Sequence, residues 1–267
     1  MPEPGGELRK LQFIVAGQTL EAAHWGPAPS DAPTIVMLHE GLGSVSAWRD
    51  WPAQLARETG LGVFVYSRAG YGNSDPVTLP RPITYMHHEA EIVLPELLEK
   101  AHLRKAILLG HSDGASIAII HAGGEFRHTS VRGLALLSPH VFCEDQSVVG
   151  IEAARDAYEH SELRARLSKY HRDVDNAFWG WNRAWLDPEF RAWNIEEYLA
   201  KVDLPTLVIQ EDGDPYGTLA QLDAIERGAQ GPTDLLILKG NGHFPQKECH
   251  TETTNAVVSF AERVLAR

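Results

Sequence analysis

Six short apolar runs of strand length recur along this chain, with helix-like segments between them. They are Thr34–His39, Gly62–Ser67, Lys105–Gly110, Gly133–Leu137, Thr206–Gln210 and Leu235–Leu238. Strands apolar on both faces, joined by helices rather than hairpins, predict an α/β protein with a mostly parallel central sheet and helices on both faces. A hairpin-like pair, Gln12–Ala16 and Thr19–Trp25, precedes them around Gly17-Gln18. At 267 residues the chain suits one domain with an insertion, or two small domains.

The alternation breaks once. From residue 141 to residue 201 the pattern reads as helices only: Val148–Glu159, Glu162–His171, Asp173–Trp185 and Ile195–Lys201. About sixty residues is well beyond an ordinary crossover. The expected organisation is therefore a core built from residues 1–140 and 202–267, with residues 141–201 inserted as a helical cap.

Gly110-His-Ser-Asp-Gly114 follows one apolar run directly and opens a helix of small residues, Ala115, Ser116 and Ala118. A sharp strand-to-helix turn puts its apex residue in a strained conformation, and its neighbours must be small for chain and substrate to approach. Ser112 at that apex is the expected nucleophile. The amide of Asp113 then points to a developing oxyanion, while the side chains of His111 and Asp113 are expected to be directed away by the turn.

A serine hydroxyl needs a base, and the base needs an orienting carboxylate. Gly240-Asn-Gly-His-Phe-Pro245 sits past the last strand and offers His243 among glycines. Gln210-Glu-Asp-Gly-Asp-Pro-Tyr-Gly217 offers Asp214, several residues past a strand end and so with room to reach the histidine. Glu211 and Asp212 then read as a solvated turn, and Glu144-Asp145 is the weaker candidate for the acid. His39-Glu-Gly-Leu-Gly-Ser44 would supply the second oxyanion amide, from Gly41 or Leu42. Glu40 is expected to turn away from the oxyanion and bond within its loop.

With these pieces the chain resembles the α/β-hydrolase superfamily, in its capped esterase and carbon–carbon hydrolase branch. The matching segments are HEGLGS, Ser67-Arg-Ala-Gly-Tyr-Gly-Asn-Ser-Asp75, GHSDG, the acid loop and GNGHFP, in the family's order over nearly the whole chain. The departures are Glu40 where glycine is usual and Ser67 where aspartate is common. The resemblance implies the α/β-hydrolase fold and a serine hydrolase. Its expected substrate is a small, hydrophobic or aromatic ester, thioester or lactone. Carbon–carbon hydrolysis of a vinylogous diketone is the alternative, and a small-molecule receptor on the same fold is the alternative of another class. Serine at the elbow disfavours dehalogenase and epoxide-hydrolase chemistry.

Residues 141–201 also hold Phe178, Trp179, Trp181 and Trp185. Phe178, Trp181 and Trp185 share a helical face, either to line a pocket lid for substrate or to dock the insertion. His87-His88-Glu89 and His171-Arg-Asp-Val-Asp175 lack zinc-hydrolase spacing and read as solvated helix ends. No third glycine completes a dinucleotide fingerprint and no P-loop is present, so no cofactor and no metal are expected. A formal charge of −12 argues against a nucleic-acid partner. Two cysteines, Cys143 and Cys249, give no disulfide framework. With no signal-like or membrane-spanning run, the expectation is a cytoplasmic protein acting on a small molecule away from membranes.

Overall fold

The computed structural model describes residues 8–265. Eight strands form one sheet: β1 Arg9–Val15, β2 Gln18–Trp25, β3 Thr34–Leu38, β4 Gly62–Tyr66, β5 Ala106–His111, β6 Val131–Leu137, β7 Thr206–Glu211 and β8 Thr233–Leu238. Their spatial order is β1-β2-β4-β3-β5-β6-β7-β8. β3 to β8 run parallel, while β1 and β2 form an antiparallel hairpin that joins the sheet through β4. The hairpin turn lies one residue earlier than the sequence suggests. Val15 pairs with Gln18 across Ala16-Gly17, whose φ values of 48° and 78° are those a two-residue hairpin turn demands.

The helices are α1 Trp51–Thr59, α2 Tyr85–His88, α3 Leu94–Lys100, α4 Asp113–Gly123, α5 Asp145–His160, α6 Leu163–Leu167, α7 Val174–Trp185, α8 Glu196–Leu199, α9 Ala220–Gly228, α10 Pro245–Glu248 and α11 His250–Leu265. A π turn, Glu89–Val93, links α2 and α3. It lies just before Pro95, which has no N–H to continue the regular ladder.

Side-chain alternation along the strands divides the core. In β3, Ile35 and Met37 pack with Trp51, Leu55 and Phe260 from α1 and α11, whereas Val36 and Leu38 face Leu97, Ile117 and Ile120 from α3 and α4. Both faces of the parallel strands are therefore dry, which is why they read as continuous apolar runs.

Between β6 and β7 the described chain is helical, with one isolated bridge from Phe142 to Asn194. The helix expected over 162–171 is only Leu163–Leu167. The chain leaves it so that His171 can turn inward. There Nδ1 accepts from the Gly72 amide at 3.0 Å and Nε2 donates to the Leu42 carbonyl at 2.9 Å. The end of the block, α8, packs on α4, where a Cβ at Gly123 would lie 2.1 Å from the Tyr198 carbonyl oxygen. Among the described residues, no helix is long and apolar enough to cross a membrane.

Candidate active site

Ser112 occupies the single residue between β5 and α4, with φ 52° and ψ −117°. An L-residue pays for that region in steric strain, and the packing on either side enforces it. A Cβ at Gly110 would lie 2.3 Å from the Gly114 carbonyl oxygen, and one at Gly114 would lie 2.1 Å from that of Leu38. The two motif glycines thus let the turn close on itself and on β3. The Ser112 amide is anchored to the Leu137 carbonyl at 2.9 Å, fixing the elbow to β6.

His243 and Asp214 meet from separate loops. Nδ1 of His243 lies 2.9 and 2.8 Å from the two carboxylate oxygens of Asp214, and both residues are buried. The Tyr216 amide donates to the same carboxylate at 2.8 Å. Burial works to raise the Asp214 carboxyl, but the bond to His243, its charge and the Tyr216 amide outweigh that and hold it below the usual aspartate range. An ionised Asp214 requires the proton on Nδ1, leaving Nε2 of His243 as the basic nitrogen.

The other carboxylates of these loops are committed elsewhere. Glu211 is buried and accepts from the Gly242 amide at 3.0 Å, while Asp212 pairs with Lys239 at 2.6 Å and accepts from the Gly240 amide at 3.2 Å. Glu211 therefore departs from the solvated turn expected of it. It braces the loop that carries His243, and a Cβ at Gly240 would lie 1.8 Å from its Oε2. Glu144 accepts from the Thr218 hydroxyl and amide and from Gln221, and Asp145 pairs with Arg191 at 2.6 Å on the surface.

The amides of Asp113, Gly41 and Leu42 make no hydrogen bond among the described residues. Buried Arg68 holds the loop that presents two of them. Its guanidinium donates to the carbonyls of His39 and, at 3.0 Å, Glu40, and lies 3.7 Å from the Asp113 carboxylate. Asp113 is turned away from the cleft, as expected, and also accepts from the Tyr85 hydroxyl at 2.5 Å and from Trp185 Nε1 at 3.2 Å. One buried ion pair thereby ties the elbow, the glycine-rich loop and α7 together. His111 is likewise turned away, and its Nε2 donates to the His243 carbonyl at 2.7 Å.

A cleft of about 450 Å³ that reaches open solvent lies over Ser112. Trp181 and Trp185 line it, and Phe178 and Trp179 do not. Phe178 stacks on Tyr158 with ring centroids 3.7 Å apart, and Trp179 lies beneath the Arg183 guanidinium. For Trp181 and Trp185 the choice between lining and docking is not a real one. Trp185 bonds Asp113 and Tyr85 while facing the cleft, and Trp181 lies so close to the glycine-rich loop that a Cβ at Gly41 would fall 2.1 Å from its Nε1.

Sequence reasoning missed His140, Ser147, Ile151, Tyr216 and Phe244, which complete the wall. His140 stands in the loop after β6, and a reading of strand C-termini as ligand-facing would have raised it. Burial, reinforced by His243, pushes its pKa down to about 3, so it is a neutral wall residue. His171 and Glu89 are buried, not solvated as expected: His171 holds the Leu42 carbonyl, and Glu89 pairs with Arg81 at 3.3 Å.

The sequence profile of the Alpha/beta hydrolase family matches residues 35–257, and the chain belongs to that family. A proline iminopeptidase from Lactobacillus helveticus (strain DPC 4571) is 34% identical over 92 residues, which is 34% of this chain and 31% of that protein. The match thus spans less than a third of the relative. Among solved structures, the enol-lactonase from Burkholderia xenovorans LB400 aligns with TM-score 0.72 at 18% identity, covering 94% of this chain and 99% of that one. A haloalkane dehalogenase from Bradyrhizobium elkani USDA94 aligns with TM-score 0.76 at 17% identity, covering 97% and 98%. Such likenesses establish a shared fold, which carries several chemistries.

Proposed function

We propose that the protein is a serine hydrolase that cleaves a carboxylic ester-type bond (ester, thioester or lactone) of a small substrate. The observation that carries this reading is Ser112 at a strained elbow, 7% exposed, on the wall of a cleft that also holds the Asp214-bound His243. Ser112 Oγ attacks the substrate carbonyl as Nε2 of His243 takes its proton. Asp214 holds the tautomer and the imidazolium that forms. The unpaired amides of Asp113 and of Gly41 or Leu42 receive the oxyanion, which stabilises charge that exists only in the transition state. His243 returns the proton to the leaving oxygen or sulfur, and water repeats the sequence on the acyl-enzyme.

In this reading residues 141–201 serve as a cap, with Trp181 and Trp185 forming the apolar roof over the acyl group. The indoles of Trp181 and Trp185 on the wall favour an apolar acyl chain. Lactones are included because the Burkholderia xenovorans neighbour of the same fold is an enol-lactonase. A panel of short-chain esters, thioesters and lactones, run beside a vinylogous diketone, tests the reading. Turnover of the ester-type substrates that vanishes in Ser112→Ala is expected, and turnover of the diketone alone would replace this reading with carbon–carbon hydrolysis.

A further inference from the structure

Glu40 is the one side chain on the cleft wall that carries a formal charge at neutral pH; the rest are apolar, hydroxyl or imidazole groups. Its carboxylate does not bond within its own loop, contrary to the sequence expectation. The turn is closed by backbone instead, with the Gly43 amide donating to the Glu40 carbonyl at 3.1 Å. The side chain folds over Gly43, where a Cβ would lie 2.3 Å from Oε2, and stays 14% exposed.

Its nearest candidate donor is Nδ1 of His111, 3.5 Å away. That nitrogen has no proton to give. Nε2 of His111 faces the His243 carbonyl at 2.7 Å, which can only accept, so the proton of a neutral ring sits there. Nδ1 in turn accepts from the Gln246 amide at 3.2 Å. Burial holds His111 below the usual histidine range, with Glu40 pulling the other way, so the ring is neutral at pH 7. At Glu40 burial favours the acid; His111 would oppose it most if it carried a charge, but with His111 and His39 neutral at pH 7 it is the Lys247 ammonium that keeps the carboxyl ionised. Among the described residues no hydrogen bond reaches this carboxylate, which leaves its acceptor positions open beside the amides of Gly41 and Leu42.

We infer that Glu40 selects substrate by charge: the cleft takes small esters that carry a cationic nitrogen group close to the carbonyl, and turns away those that carry a carboxylate. The inference rests on the ester-hydrolase reading above. A fixed negative charge repels an anionic ligand and attracts a cation across a poorly hydrated wall. It also opposes the oxyanion that forms at the neighbouring amides. A bound cation cancels that opposition, so part of the gain falls in kcat rather than in KM.

The test uses ethyl esters of one short acyl chain ending in a methyl, hydroxyl, ammonium or carboxylate group. kcat and KM are measured at pH 7 for the wild type and for Glu40→Gln, with melting temperatures to show that both are folded. Wild-type kcat/KM is expected to rank ammonium above methyl by about tenfold or more, and carboxylate below methyl by a similar factor, with hydroxyl between ammonium and methyl. Glu40→Gln should compress these ratios toward one. A wild type that ranks methyl or carboxylate first overturns the inference, as does a ranking that Glu40→Gln leaves intact. If no ester is hydrolysed, it is the functional reading that fails. The ranking is then read by titration calorimetry with the same compounds: tightest binding of the ammonium form, lost in Glu40→Gln, supports charge selection, and equal binding overturns it.

Discussion

Gly41 shows how much one missing Cβ decides here. It stands in the loop on the cleft wall, where its amide makes no hydrogen bond among the described residues, and its empty side is filled by the indole of Trp181. Gly41→Ala must displace either the loop or the indole. We expect at least a tenfold fall in kcat/KM on a short ester, with secondary structure by circular dichroism retained. At the acid position, Asp214→Asn should lower kcat by about a thousandfold or more, because a neutral amide no longer enforces the Nδ1–H tautomer. Asp212→Asn and Glu144→Gln should stay within a few-fold of wild type, since neither carboxylate touches His243. Kinetics of the three variants on one ester decide the assignment. The motif residues Ser112, His243 and Asp214 were legible in the sequence because local backbone demands (a sharp turn, a glycine-flanked loop at a strand end) leave a mark in neighbouring letters. Glu211 was not, because what makes it structural is the Gly242 amide and the bare α-carbon of Gly240, folding back from about thirty positions downstream. Glu40 was misread for the same reason: the groups around it come from other loops.

At the level of elements, the six parallel strands and most helices follow from apolar period and length alone. The errors fall where a distant contact overrides local preference. The helix expected to reach His171 stops early because that histidine bonds Gly72 and Leu42, and the π turn before Pro95 has no signature beyond the proline itself. In α7 the i, i+3, i+7 stripe was legible as a buried face, but not its division of labour. Phe178 is spent on Tyr158, whereas Trp185 spans cleft, Tyr85 and Asp113. This division can be measured. Trp185→Phe retains most of the ring but deprives the buried Asp113 carboxylate of a donor, and should cost about 1–3 kcal/mol by denaturant unfolding. Trp185→Ala adds a cavity and should cost about 3–5 kcal/mol while also shifting preference toward larger acyl chains. Phe178→Ala should destabilise to a similar degree with the acyl preference unmoved. A matched pair of unfolding curves and acyl-chain profiles for each variant separates the two roles.

Across the whole molecule, burial of histidine sets the response to acid. His24, His39, His87, His111, His121, His140 and His171 all lie below the ordinary value of 6.5, His121 at about 4 and His140 at about 3, with desolvation the largest cause in each. Below 6.5 the unfolded chain binds protons that the folded one refuses, so stability falls as pH drops through and below that value. Asp214 adds to the loss further down, since a depressed carboxyl contributes above the unfolded aspartate value and ceases to as pH falls through its folded one. Glu89 and Glu211 are raised by burial and act in the opposite sense, losing their contribution as pH rises out of the carboxylate range. The histidines outnumber them, and urea midpoints should decline steadily from pH 7 to pH 5; a midpoint that rose over that interval would contradict the balance.

The central claim is that this family member turns over an ester-type bond through Ser112, and one measurement addresses it directly. Purified wild type and Ser112→Ala are treated with a fluorophosphonate probe, the labelled peptide is located by mass spectrometry, and hydrolysis of a short-chain ester is followed in the same samples. The account predicts one phosphonylated site, at Ser112, with ester turnover lost in step with labelling. Labelling and turnover should both be absent from Ser112→Ala, which keeps the wild-type fold. Substantial ester hydrolysis by folded Ser112→Ala, or a wild type whose probe adduct maps to another residue, would contradict it.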